Sequence, residues 1–234
     1  MVSRFPVLVA LIYKSTSGQA WGMLSTTPRT TLGREKDRGS TDRADLYDVL
    51  DSGLICHLGV VVDGHPVVIP TGYGRIGDTL YLHGSTGASS LRAGAGGEVC
   101  VTVTHADGIV LARSVFHHSV NYRSAMVYGR ARLVTDPDER LAGLRALTEQ
   151  LAPGQWDYAR QPSRKELAAT SVLALSLEEA SVKIRRGGPM DDDADYALPV
   201  WAGVLPLVTA WGPVVPDPAL PEDVDVPVHI RARR

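Results

Sequence analysis

The stretch His65–Arg92, HPVVIPTGYGRIGDTLYLHGSTGASSLR, constrains this chain more than any other. Val67, Val68 and Ile69 precede Pro70 in a β-branched run, so His65–Tyr73 reads as a strand. Gly74–Asp78 holds two glycines and an aspartate, the composition of a hairpin loop, and Thr79–His83 reads as the returning strand. Gly84-Ser85-Thr86-Gly87-Ala88-Ser89-Ser90-Leu91-Arg92 is then a small-residue turn opening a helix. Upstream, the apolar run Leu54–Val62 meets this stretch through Asp63-Gly64, a second hairpin signal. Strands joined by such short turns pair antiparallel, because a parallel pair needs a long crossover.

The rest of the chain continues the pattern. Glu98–His105 alternates, with Val99, Val101 and Val103 on one face and Cys100, Thr102 and Thr104 on the other, as a half-buried strand does. Ala106-Asp107-Gly108 reads as a turn from which Ile109–Val115 returns, and Ala125–Val134, Thr170–Leu177 and Ala180–Arg186 read as further strands. Asp42–Ser52 reads as a helix capped by Ser40 or Thr41, with Leu46, Val49 and Leu50 as its apolar stripe and Gly53 as its stop. Asp136–Leu151 is the clearest helix: Asp136 caps it, Pro137 fills its first turn, Glu139 completes a capping-box pattern, and Leu141, Leu144, Leu147 and Leu151 form its stripe. Ser163–Glu166 starts a short helix by the same capping logic. Many hairpin-linked strands with scattered helices do not alternate as βαβα, which disfavours a doubly wound fold. A mainly β chain fits instead, as a closed antiparallel barrel with appended helices.

The 234 residues suit one large domain, placed at 31–212, with an N-terminal extension at 1–30 expected to be poorly ordered and a proline-rich tail at 213–234. The net charge of −2 gives no broad pull toward nucleic acid. The apolar run Phe5–Tyr13 is too short to span a bilayer, so no membrane partner is expected. A signal peptide cleaved near Gly18-Gln19-Ala20 is disfavoured, Met23 competes with Met1 as the translation start, and a cytoplasmic location is expected. Cys56 and Cys100 lie within strands at no metal-ligand spacing and read as buried reduced thiols. His117 and His118 are adjacent and would point to opposite faces of a strand, so they do not share a metal, and no metal site is expected. There is no Gly-x-Ser-x-Gly and no His-Glu-x-x-His, so hydrolysis has no support and the chemistry falls to a cofactor.

Ser85, Thr86, Ser89, Ser90 and Arg92 suit an anion, through hydroxyl donors, close backbone approach and one guanidinium. The same residues suit an ordinary polar turn capping a helix, and composition leaves both open. His117, His118, Asn121, Tyr122 and Arg123 make the densest polar cluster, with a packed polar turn as the plain alternative.

The stretch resembles the cofactor-binding segment of pyridoxamine-5′-phosphate-oxidase-like flavoproteins, and more closely their flavin-nucleotide-binding branch related to nitroimidazole-resistance proteins. Leu32–Arg43, Leu50–Thr71, Val101–Asp136 and Ser181–Leu207 resemble that branch in the same order. The resemblance implies an FMN-binding split β-barrel that is homodimeric, and an oxidoreductase passing electrons from NADH or NADPH to a small-molecule substrate. It places the flavin phosphate on Ser85, Thr86, Ser89, Ser90 and Arg92, and the ring edge along Pro70, Thr71, Gly72 and Tyr73. His83 lies beside the flavin as a catalytic residue, and Tyr122 and Arg123 are interface or phosphate contacts. Related proteins carry a Lys or Arg pair where this chain has only Arg92, so Arg123 or Arg43 is needed as a second cation. The arginine-rich substrate motif of true pyridoxamine-phosphate oxidases is not evident, which sets that activity behind a general flavin oxidoreductase. The alternatives are a haem-binding split barrel, ligated by His83, His117 or His118, a deazaflavin-binding one, and a non-catalytic flavin carrier or redox sensor.

Overall fold

A computed structural model describes residues 22–233. Ten strands run β1 (Gly39–Ser40), β2 (Ile55–Val62), β3 (His65–Ile76), β4 (Thr79–Ser85), β5 (Glu98–Leu111), β6 (Ser119–Arg130), β7 (Arg132–Leu133), β8 (Thr170–Ser176), β9 (Glu179–Arg185) and β10 (Gly203–Pro206). Between them lie the helices α1 (Arg43–Ser52), α2 (Ser89–Gly94), α3 (Pro137–Leu151), α4 (Gln155–Tyr158), α5 (Arg164–Ala168) and α6 (Val228–Arg231). The strands pair antiparallel in the order β1-β9-β6-β5-β2-β3-β4-β8-β7, with β10 added to β5. β7 follows β6 after the single residue Ala131 and pairs with β8, so one chain segment links β6 to the far end of the order and the sheet closes on itself.

Alternation decides which side of each strand fills the barrel. Cys56, Leu58 and Val60 of β2, Val99, Val101 and Val103 of β5, and Ala125 and Val127 of β6 point inward with Leu80, Leu82, Leu173 and Leu175. Leu46, Val49 and Leu50 of α1 are fully buried in the same cluster, so this helix closes the barrel interior with the stripe that its sequence announced. Its cap is Asp42, whose carboxylate accepts the Ala44 N–H at 2.8 Å, rather than Ser40 or Thr41. At the other end Gln150 donates to the carbonyls of Leu50, Asp51 and Gly53, which ties α3 to the last turn of α1.

Three strand boundaries differ from the sequence reading. β3 runs on to Ile76, because Tyr73–Ile76 pair with Thr79–Leu82, and the turn shrinks to Gly77-Asp78. The Ala106-Asp107-Gly108 turn is a bulge inside the unbroken β5: Ala106 faces Tyr122, Gly108 faces Asn121, and Asp107 is the extra residue. β6 starts at Ser119, so Tyr122 and Arg123 belong to a strand and not to a turn. The hairpin at Asp63-Gly64 is as expected, and both residues take positive φ, 50° and 79°, the conformation a tight two-residue turn demands.

The ends of the described chain also pack. Met23 bridges to Asp42, Leu24 is buried in the main core, and Arg29 is held by Glu98 and Glu179, so residues 22–30 are attached to the barrel and not a loose extension. The expected signal-like run and residues 1–21 as a whole lie outside the described residues. The proline-rich tail returns as α6, where His229 bonds Gln155 at 2.9 Å and Arg233 stacks on Trp211. The side chain of Asp191 is buried and accepts from the Arg113 and Ser114 N–H groups. No helix among the described residues is long and apolar enough to cross a membrane.

Candidate functional site

The site begins where β3 and β4 part. Their pairing covers only Tyr73–Ile76 against Thr79–Leu82. Beyond it, His65–Gly72 pair with β2 alone and His83–Ser85 with β8 alone. The two facing edges therefore keep backbone donors and acceptors that no neighbouring strand uses, which a planar ligand edged with polar atoms can take up. Pro66 and Pro70 sit on this free side of β3, where a missing N–H costs nothing.

Pro70 and Gly72 face outward, and a side-chain carbon built on Gly72 would meet nothing within 4 Å. Thr71 and Tyr73 face the other way. Tyr73 is fully buried, donates its hydroxyl to the Leu50 carbonyl and pairs with Leu82 of β4, so the open edge ends at Gly72. Burial pushes its phenol well above the ordinary tyrosine range. Cys56, beside it in the core, is pushed up to about 12 by the same cause, which keeps it a thiol.

From β4 the chain enters the small-residue turn. Thr86 N–H bonds the Ala169 carbonyl, Ala88 N–H the Ser85 carbonyl, and Gly87 N–H the Ser85 hydroxyl oxygen at 3.2 Å. Arg92 reaches back to the Gly87 carbonyl at 2.8 Å and so braces the turn. No side chain caps α2, whereas Asp42, Asp136 and Ser163 cap α1, α3 and α5. Ser85, Thr86, Ser89, Ser90 and Arg92 thus lie on one surface segment, and His83 leads into it.

His83 points outward with Tyr81, on the face of β4 that α3 covers. Two glycines make that covering close. A side-chain carbon at Gly74 would overlap the backbone of Ala146 and Leu147, and one at Gly143 would stand 2.8 Å from the Tyr81 ring. Past Tyr81 the helix diverges from the sheet and leaves a cavity of about 460 Å³, walled by α3, α4, α5 and His83. The sequence reading treated Leu144, Leu147 and Leu151 as one packing stripe; Leu147 is buried in a satellite core with Tyr81 and Val172, but all three also line this cavity. Desolvation by these walls holds the His83 imidazole below its ordinary pKa.

Tyr122 and Arg123 lie on β6, which pairs with β5 and β9 and not with β3 or β4. Arg123 is engaged by Asp107 at 3.1 Å and Asp48 at 2.9 Å, and Arg43 by Asp78 at 2.7 Å, so neither guanidinium is a free second cation. His118 accepts the Ala112 N–H on Nδ1, and His117 lies 3.5 Å from Asp192.

A closed antiparallel sheet that opens between two neighbouring strands, with helices packed outside, is a split β-barrel. The chain belongs to the pyridoxamine 5′-phosphate oxidase family: the family model of that description matches residues 42–184, more than half of the chain. Among solved structures, the flavocytochrome Anf3 from Azotobacter vinelandii is 38% identical over 89% of this chain and 97% of its own, with a TM-score of 0.85. The FAD and heme binding protein from Mycobacterium smegmatis is 42% identical over 84% of this chain and 97% of its own, with a TM-score of 0.80. A putative 5-nitroimidazole antibiotic resistance protein from Bacteroides thetaiotaomicron shares the fold at 21% identity and a TM-score of 0.52, over 62% of this chain and 86% of its own. No curated protein matches the chain.

Proposed function

We propose that the chain is a flavin-dependent oxidoreductase working as a homodimer. The observation that carries this is the match to two relatives whose names carry a flavin, over more than four fifths of the chain, beside a split between β3 and β4 in this chain. The isoalloxazine edge lies along Pro70–Tyr73, of which Pro70, Thr71 and Gly72 keep a free edge, and the phosphate lies against Ser85, Thr86, Ser89, Ser90 and Arg92. The open space above Gly72 fits a planar ring, since any side chain there would stand in its place. The bound flavin would take a hydride from NADH or NADPH and pass electrons to a small acceptor. His83, neutral at physiological pH, stands beside the flavin segment and orients the acceptor. FMN is the first form to test and FAD the second, the latter named for the mycobacterial relative.

Tyr122 and Arg123 join this site only across a dimer, as residues of the second copy. Arg123, held by its two aspartates, acts there as a fixed hydrogen-bond donor more than as a free charge.

The experiment is an absorption spectrum of the purified protein, then release and mass identification of the chromophore. A flavin spectrum with bleaching by NADH or NADPH is expected. Ser89→Ala with Arg92→Ala is expected to weaken flavin affinity tenfold or more, because a phosphate loses a hydroxyl donor and its local cation. A protein that takes up neither FMN nor FAD overturns this reading. Bound flavin without any nicotinamide turnover would make it a carrier or sensor.

Haem is the second reading, favoured by the flavocytochrome and the FAD and heme binding protein, both above 35% identity.

A further inference from the structure

Another cavity, of about 330 Å³, lies where β9 ends, between the helical turn Lys36–Arg38 and the residues 186–190. Three arginines line it, Arg38, Arg185 and Arg186, against one carboxylate, Asp37. Arg38 pairs with Glu35 at 2.8 Å, and Asp191, next to the cavity wall at Met190, pairs with Arg113 at 3.1 Å. Arg185 is different. It is buried, yet its guanidinium donates only to neutral oxygens: the Asn121 side chain, the Gly187 carbonyl at 3.4 Å and the Gly188 carbonyl at 3.2 Å. Asn121 in turn donates to the Gly187 carbonyl at 3.0 Å, which fixes the group in place. Among the described residues neither Arg185 nor Arg186 forms an ion pair, and Nε–H and one Nη2 N–H of Arg185 have no acceptor.

A guanidinium keeps its charge in a protein, and a buried charge without a counter-charge is costly. Carbonyl oxygens orient the group without cancelling that charge; an anion in the cavity cancels it. Nε and Nη2 share one edge of the guanidinium fork, the edge that meets two oxygens of one carboxylate or phosphate. Arg186 adds a second cation on the wall. The cavity also has room for the body of an organic ligand: a side-chain carbon built on Gly187 or Gly188 would meet nothing within 4 Å, and Ile184, Pro189 and Met190 supply apolar surface. Asp37 on the same wall opposes a ligand with several negative groups.

We propose that this cavity is a binding site for a small organic anion, one carboxylate or phosphate on an apolar body, with Arg185 as its two-pronged anchor. The flavin-phosphate segment Ser85–Arg92 is no part of its lining. In the pairing of β6 with β9, Arg185 stands opposite Tyr122, so the two side chains leave the sheet on the same side. Under the homodimer reading, on which this step rests, Tyr122 of the second copy joins the flavin site, and the anion cavity comes with it. The acceptor reduced there is then a small organic acid or phosphate ester, held at its charged end by Arg185.

The test is calorimetric titration of the full chain, with FMN added, against benzoate, phenyl phosphate and the neutral benzamide, with flavin content measured on every sample. Benzoate or phenyl phosphate is expected to bind and benzamide not, and the tighter of the two anions names the charged group. Arg185→Gln is expected to lose tenfold or more in affinity. Should that variant not fold, Arg186→Gln, whose side chain is exposed, is expected to weaken binding several-fold at an unchanged melting temperature. Arg92→Ala is expected to keep anion binding, which separates this cavity from the flavin-phosphate segment. Equal affinity in the wild type and both cavity variants, or benzamide binding as tightly as benzoate, would overturn the site. So would a folded Arg185→Gln protein that has lost its flavin, since the arginine would then serve the flavin itself. Anion binding in a protein that takes up no flavin leaves the site standing and overturns the oxidoreductase proposal alone; flavin uptake without anion binding does the reverse.

Discussion

Gly74 shows how one residue sets the outer wall of the site. The strand face it occupies is pressed by the backbone of α3 at Ala146 and Leu147, so no side chain fits between them. Gly74→Ala must push the helix off the sheet or bend β3. Either cost is that of overpacking, about 1–3 kcal/mol. A lower denaturation midpoint with an unchanged slope is the expected outcome, and an unchanged midpoint would mean that the helix shifts freely. In the sequence Gly74 reads as the start of a hairpin loop, because a glycine required by close approach and one required by a turn look alike. His83 is the reverse case. Its place at the edge of the small-residue turn was legible, but the apolar walls around it belong to residues 60 to 85 positions away and carried no local signal.

Among the elements, the caps read best. Asp136 accepts the Glu139 N–H at 2.8 Å as expected, but Glu139 does not reciprocate; its carboxylate is taken by Arg132 and by the Tyr81 hydroxyl, partners that only the fold supplies. Ser163 and Glu166 do form the full reciprocal box at the start of α5. The Arg160 guanidinium, followed by the Ser163 N–H and hydroxyl, lowers Glu166 from 4.5 to about 2. A carboxylate depressed in the folded state stabilises above its unfolded value and loses that contribution as pH falls through the folded one. The α5 end is therefore expected to weaken between about pH 4.5 and about pH 2, and Glu166→Gln to flatten that part of the melting-temperature profile. Equal pH dependence in the two proteins would show that the box contributes nothing measurable. The bulge in β5 is an element that pattern reading missed. Ala-Asp-Gly has turn composition, and only the pairing with β6 shows that the chain continues straight on, with Asp107 turned toward Arg123.

On the scale of the whole molecule, the outer face of β2 and β3 calls for a partner. Ile55, Val61 and Val68 are 50%, 60% and 66% exposed and lie with Pro70, Gly72 and Met126 on a sheet surface that carries little charge. A contiguous apolar face of this kind is uncommon on a monomer. Under the homodimer proposal it meets a second copy. Val68→Lys is expected to shift the protein from dimer to monomer by light scattering without lowering the barrel's own stability, since the side chain points away from the core. A wild-type monomer would end the proposal.

The sequence by itself determined the antiparallel strands, their inward faces, the main helices and the segment that leads from His83 to Arg92. These depend on period, turn chemistry and caps, all of which act within a few residues. Tertiary structure decided the closure of the sheet through β6 and β7, the parting of β3 from β4, the pairing of Arg123 and Arg43 with aspartates, and the cavity under α3–α5. Each of these joins side chains or backbone edges far apart in the chain, and no local pattern encodes which distant surface a residue will meet.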